Sequence, residues 1–285
     1  MTKNIDTIRQ KIDELDNSIH DLLMKRTELV EDIADYKRAN NLQTCVPSRE
    51  AQLLRRLLDR HSGALNKASL IQIWRELIGA VTKMQADLKV TITTMDHKDR
   101  QLYWESARDY FGVALEFEQA KSSMTALNML RDGAVDFAVV PVPSSDGEAR
   151  PWWSVLSEED NNPANILIRL PFIKSTDKEK MEHTALVLGR FDYKSSGQDN
   201  SFIFIEADSQ ISRGRVVETA NNAGMKALSL NSCACQDSEN RTCHIVEVEG
   251  FVDSESENFK IFSKGLNDKS ARVFVAGGYP VMPDI

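Results

Sequence analysis

The sequence predicts a multidomain α and α/β chain, with an all-α three-helix domain over residues 1–89, a truncated α/β lobe over 90–190 and a βαββαβ domain over 200–285. Three observations carry this. From Ile5 to Leu88 apolar residues recur three and four apart, the period of helices packed along one face. At Val90 the period changes to short apolar runs separated by helical segments, the alternation of an α/β unit. The last stretch reads strand, helix, strand, strand, helix, strand.

The first helix is IDTIRQKIDELDNSIHDLLMKRTELVEDIADYKRAN, with a seam at Ile5, Ile8, Ile12, Leu15, Ile19, Leu22, Leu29, Ile33 and Tyr36. Arg26 interrupts that seam, and a cation costs on the order of several kcal/mol to bury unless something anionic meets it. After Asn40, Asn41 and Pro47 comes SREAQLLRRLLDRH, striped at Leu53, Leu54, Leu57 and Leu58, with Glu50 one turn earlier on the stripe. After Ser62, Gly63 and Asn66 a third helix presents Leu70, Trp74, Leu77, Ile78, Val81 and Leu88, and Gln85 falls on that face. Singly these are a snorkelling arginine, a half-exposed glutamate and a boundary glutamine. Together, with Lys37 three turns beyond Arg26, they point to a buried polar pocket for a small acid.

Helix geometry puts Arg26 and Lys37 on nearly one face roughly 16 Å apart, so both can reach one ligand. Arg9 is about 25 Å from Arg26 along the same axis and turned by about a quarter turn, so it serves that pocket only from another subunit. A helix roughly 50 Å long is not covered by two shorter helices of its own chain, which predicts a homodimer.

Beyond Val90, VTITT reads as a strand, DRQLYWESARDYF as a helix, VALEFE as a strand, SSMTALNMLRDG as a helix ending at Gly133, and DFAVVPV as a buried strand. PWWSVLSEEDNN reads as a surface excursion, its Trp152 and Trp153 either a packing lid or part of an interface. A linker, DYKSSGQDN, leads into SFIFIEA, ISRGRVVETANNAG, MKALSLNSCAC, RTCHIVEVEGF, SESENFKIFSKGL and ARVFVAGGYPV, the six elements of the last domain.

A net charge of -8 and a pI near 5.3 argue against a nucleic-acid or anionic-membrane surface. The sequence has no basic-apolar-small leader and no apolar run of about 18 residues, so the expected location is the cytoplasm, with no membrane partner. The four cysteines read as reduced thiols. Cys233, Cys235, Cys243 and His244 either form a metal-like cluster or, on paired strands, merely share a face; without the two-residue loops of zinc knuckles, no metal is expected.

The stretches IRQKIDELD, LLMKRTEL, ADYK, PSREAQLLRRL and WRELIGAVTKMQ resemble the all-helical chorismate mutases of the AroQ type, over essentially all of residues 1–88. The resemblance implies an intertwined three-helix homodimer, an isomerase that converts chorismate to prephenate in aromatic amino-acid biosynthesis without a cofactor. It implies that Arg9 is donated by the partner subunit, that Arg26 holds a substrate carboxylate from within the subunit, and that Lys37 bonds the ether oxygen with Gln85 beside it. It also pairs Arg49 with Glu50, the glutamate taking the ring hydroxyl. The reaction is a concerted pericyclic rearrangement, so a protein accelerates it by selecting the compact conformer and stabilising separating charge. In two positions the sequence departs from the family: Val46 stands where an aspartate is usual, and Val81 where a serine is common.

ALNMLRDGAVDFAVVPVPSS resembles the first lobe of prephenate dehydratases, and HTALVLGR the segment that closes that lobe. The family's catalytic marks are missing: its glycine-rich opening is absent from VTITTMDHKD, its Glu-Asn-Ser run is here Pro143, Ser144 and Ser145, and its Thr-Arg-Phe is Thr184, Ala185 and Leu186. The last domain, ending GGYPV, resembles the ACT domain of those enzymes, but its phenylalanine-binding marks are replaced by Ile211, Ser212 and Arg213, and by Asn231, Ser232, Cys233 and Ala234. It is therefore either a pairing domain or a feedback sensor. For the whole chain three functions stand: a chorismate mutase without dehydratase activity, a non-catalytic regulatory or scaffolding subunit binding aromatic amino acids or a partner shikimate-pathway enzyme, and a bifunctional mutase–dehydratase.

Overall fold

A computed structural model describes residues 4–93, 97–144, 151–157, 164–173, 183–235 and 240–284. Ser145 and the EEDNN part of the expected surface excursion lie outside them.

Three helices come first. Helix α1 (Ile5–Ala39) opens on Asn4, whose side chain accepts from the Asp6 amide, and closes with Lys37 and Arg38 near its carbonyl end. Helix α2 (Pro47–Asp59) begins with proline at its first turn, where no amide donor is missed. Helix α3 (Lys67–Gln85) is capped by Asn66, which accepts from the Ala68 amide. Leu88 lies past the end of α3, and the buried line of that helix is Ile71, Arg75, Ile78 and Gly79, one residue round from the expected face. In α1 only Ala34 is buried.

The remainder builds one nine-stranded mixed sheet in the order β2-β1-β3-β5-β4-β9-β6-β8-β7. Strands β1 (Lys89–Thr93), β2 (Glu116–Ala120) and β3 (Phe137–Pro141) are parallel, joined through α4 (His97–Phe111) and α5 (Ser123–Arg131). The expected strand at VALEFE begins later, at Glu116, because Val113 is exposed and precedes the paired segment. Strands β4 (Asn165–Leu170) and β5 (Ala185–Gly189) pair antiparallel with each other, and β5 with β3. The sequence reading had no strand at NILIRL.

Strands β6 (Asp199–Asp208), β7 (Ala227–Ala234), β8 (Arg241–Glu249) and β9 (Arg272–Pro280), with α6 (Arg213–Asn222) and α7 (Glu257–Gly265), follow the expected βαββαβ order. Val216, Ala220, Phe259 and Phe262 seat both helices on one face of this antiparallel unit. Strand β4 meets β9 at one parallel register pair, Ile166 with Gly277. Gly277 has φ +104, and a Cβ there would run into the Ile166 backbone, so this junction requires glycine.

The tryptophan pair is not a surface feature. Trp152 and Trp153 lie in a 3-10 turn (Trp152–Ser157) and are buried against Leu127, Phe204 and Cys243. Each indole N–H is satisfied by a carbonyl, Trp152 on Pro141 at 2.9 Å and Trp153 on Ser144 at 3.3 Å, which permits their burial. The DYKSSGQDN stretch is also ordered: Ser196 and Asp199 are buried and bonded to each other. Arg55 of α2 donates to the carbonyls of Ser196, Gln198 and Val281, fastening the helical region to the sheet.

Candidate active site

Lys37 stands in the last turn of α1 and Gln85 is the last residue of α3. Lys37 Nζ donates to the Thr44 carbonyl at 2.8 Å and to Gln85 Oε1 at 3.3 Å. An ammonium has three donors, so one remains for a ligand. With its oxygen engaged, Gln85 has its amide N–H groups left to donate. Burial lowers the Lys37 ammonium from the ordinary lysine value, against the opposing pull of Cys45 and Glu50. These distances come from helix ends meeting, 48 residues apart in sequence.

Glu50, in the first turn of α2, is held by groups that the sequence reading missed. Its Oε2 accepts from Arg75 Nη1 at 2.8 Å and from the Tyr110 hydroxyl at 3.1 Å. Its other oxygen, Oε1, lies 4.0 Å from the Cys45 thiol. Arg75 is only 3% exposed; its Nε donates to the Tyr110 carbonyl at 2.6 Å, and its guanidinium lies 3.7 Å over the Tyr110 ring and 5.6 Å from that of Phe172. Burial would push Arg75 down, but Tyr110 and the Glu50 carboxylate outweigh it and raise it. The Tyr110 phenol is pushed well above its usual value, first by burial and then by Glu50, so it remains a donor. The Cys45 thiol, fully enclosed, is likewise pushed well up. Arg75 occupies the i+4 position between Ile71 and Ile78, the signal already used for Arg26, so sequence could have found it. Tyr110 had no such signal.

Arg26 is half-buried with its guanidinium 5.6 Å from the Trp74 ring centre, and burial draws it below its very high ordinary value without discharging it. Arg49 and Arg9 are exposed, Arg9 within 3.7 Å of Asp6. The single chain therefore brings Lys37, Gln85 and Glu50 to one end of the helices, sets Arg26 on Trp74, and leaves Arg9 and Arg49 in solvent. Val46 is the N-cap of α2 and makes no side-chain capping bond; Pro47 follows it. Val81 is half-buried on α3. A cavity of about 310 Å³ opens beside Gln85, lined also by Val30, Ala34, Met84, Glu31, Asp35 and Arg38. Its two carboxylates make it a poor seat for a dianion.

The seam of α1 is bare. Ile5, Ile8, Ile12, Leu15, Ile19, Leu22, Leu29, Ile33 and Tyr36 are 40 to 65% exposed. Such a stripe on one face greatly exceeds the isolated apolar residues usual on a surface.

In the sheet, Cys233 and Cys243 face each other in register on β7 and β8. His244 is buried with Nδ1 2.7 Å from the Ser232 hydroxyl. Among the described residues no group of three or more His, Cys, Asp or Glu side chains is placed to hold a metal. At the altered dehydratase and ACT positions the side chains serve as joints: Asn231 Nδ2 donates to the Pro143 carbonyl at 2.9 Å, and Arg213 to that of Leu230 at 2.7 Å. Among the described residues no helix is long and apolar enough to cross a membrane.

Residues 8–86, which hold the three N-terminal helices, match the family described as chorismate mutase type II. The chain is similar to two proteins described as bifunctional chorismate mutase/prephenate dehydratase. One, from Aquifex aeolicus, is 25% identical over 146 residues, covering 48% of this chain and 38% of the relative. The other, from Stutzerimonas stutzeri, is 26% identical over 143 residues with the same coverage. The matched segment thus spans under two fifths of the length of these relatives. Among solved structures, prephenate dehydratase from Arthrobacter aurescens in complex with L-Phe aligns at 12% identity with a TM-score of 0.48, covering 68% of this chain and 90% of that one.

Proposed function

We propose that this protein is a chorismate mutase that works as a homodimer. In the rearrangement the ether C–O bond breaks as a C–C bond forms, and the ether oxygen gains negative charge on the way. Lys37 and Gln85 donate to that oxygen, Arg26 holds a carboxylate from within the subunit, Glu50, paired in sequence with Arg49, accepts the ring hydroxyl, and Arg9 reaches in from the partner subunit. Each donor aimed at developing charge is worth roughly 3 kcal/mol when fixed beforehand in a sheltered site. The observation that carries this is the Lys37–Gln85 bond joining the ends of α1 and α3, with the half-buried, oriented Glu50 near enough to act on the Lys37 charge. The bare seam of α1 supports the dimer, since pairing two copies covers it and brings Arg9 toward the other chain's pocket.

The downstream chain divides, in this proposal, into a dehydratase-like region over 90–190 without dehydratase activity and an ACT-like region over 200–285. The replaced motifs support this, as does the use of Asn231 and Pro143 to join the two regions. The place of action is the cytoplasm. The test is the fall of chorismate absorbance on mixing with purified protein, with phenylpyruvate assayed separately after adding prephenate. Chorismate should disappear and no phenylpyruvate should form. Arg26→Ala should lower kcat/KM by about 10²- to 10³-fold with unchanged helical circular dichroism. A regulatory or scaffolding role without catalysis is the second reading, favoured by Val46 at the position where the family carries aspartate; a wild-type protein that binds chorismate without converting it would establish it.

A further inference from the structure

Glu50 is the group that the mutase proposal places on the ring hydroxyl, and part of what fixes it, Tyr110 and the Phe172 ring on Arg75, comes from outside the residues that match the mutase family. Tyr110 is the penultimate residue of α4, in the α/β region, and Phe172 follows β4. Both press on Arg75, one ring on the guanidinium at 3.7 Å and the other at 5.6 Å. Gly79 lets α3 approach α4 so closely that a Cβ would strike the Phe111 carbonyl. The result is a carboxylate whose Oε2 is fully engaged, by Arg75 at 2.8 Å and Tyr110 at 3.1 Å, while Oε1 has only the Cys45 thiol at 4.0 Å.

A free glutamate samples several rotamers, and ordering it on each substrate encounter raises the barrier. Here two donors on one oxygen hold the carboxylate in a single orientation with the other oxygen left to accept. The Tyr110 hydroxyl stays protonated because burial and the neighbouring carboxylate both disfavour its anion. Arg75 is locked in turn by its Nε bond to the Tyr110 carbonyl.

We propose that Tyr110 and Arg75 are positioning residues for the mutase reaction, so that the α/β region supplies the wall that orients Glu50 toward the substrate hydroxyl. This rests on the mutase proposal above, and the dehydratase-like region thereby has a use that its altered motifs do not reveal: it completes a neighbouring site.

The test is a double-mutant cycle on the whole 285-residue chain. Tyr110→Phe removes one hydroxyl and keeps the ring on Arg75; Glu50→Gln removes the group being positioned. Wild-type turnover of chorismate is measured first, and its absence overturns the mutase proposal together with this one. Given turnover, Tyr110→Phe should lower kcat about tenfold and leave KM within about twofold, since orientation counts most in the transition state. In the Glu50→Gln background the same substitution should cost less than about twofold, because the group it acts through is gone. Affinity for a stable bicyclic dicarboxylate that mimics the transition state, read by calorimetry, supplies the same cycle where turnover is too slow to measure. Arg75→Lys provides a second variant that keeps the charge and loses the fork, with the same non-additivity against Glu50→Gln expected. Wild-type kcat in folded Tyr110→Phe, or losses that multiply with Glu50→Gln in both cycles, would overturn the assignment.

Discussion

The two parts of this chain bury their apolar residues in opposite ways. In the sheet, Phe204, Ile203 and Val246 are wholly enclosed by the chain's own helices and strands. In α1, nine apolar residues on one face remain 40 to 65% exposed. The sheet region closes its own core; the helical region buries Leu54, Leu58, Ile71 and Ile78 between α2 and α3 and leaves the α1 stripe open. Arg9 sits on the exposed amino-terminal part of α1, far from Lys37, so the proposed site takes it from a second chain.

The sharpest way to break this contrast is to damage each region in kind. Ile19→Glu places a carboxylate on the seam, and two-fold symmetry counts it twice, so dimer dissociation should rise on the order of 10³-fold or more, with turnover lost alongside. Analytical ultracentrifugation should then show monomers at micromolar concentration. Phe204→Ala opens a cavity in the sheet core and should cost about 3–5 kcal/mol, a fall in Tm of roughly 10 °C, with the dimer intact. A dimer unaffected by Ile19→Glu would mean that the seam meets something else. The next effect concerns pH. In the proposed mechanism Lys37 must be protonated to donate to the ether oxygen, and burial lowers its pKa, so kcat/KM should fall with rising pH below the ordinary lysine value near 10.5. A profile flat up to that value would remove Lys37 from the chemistry.

The helical region was legible because a helix repeats. Arg26, Glu50 and Gln85 stand out as polar residues on otherwise apolar lines, and the same test applied one residue round α3 would have found Arg75 between Ile71 and Ile78. The six elements after residue 200 were legible for a similar reason, each long enough to show its period. The surface excursion expected around Trp152 and Trp153 failed because a six-residue 3-10 turn shows no period, while the packing alternative for the pair agrees with their burial. NILIRL was missed because its six residues form one short apolar run with no repeat to mark it as a strand. Tyr110 could not be read at all: its contact with Glu50 spans 60 residues and depends on how α4 docks on α3.

The claim everything else depends on is that one pocket is built from two chains, and mixing Arg9→Ala with Arg26→Ala tests it most directly. Each variant alone should be nearly inactive. After subunit exchange about half the dimers are mixed, and each mixed dimer carries one complete site, so about a quarter of wild-type activity should return. Activity no greater than the sum of the two separate variants, in a sample shown to have exchanged, would contradict the shared site.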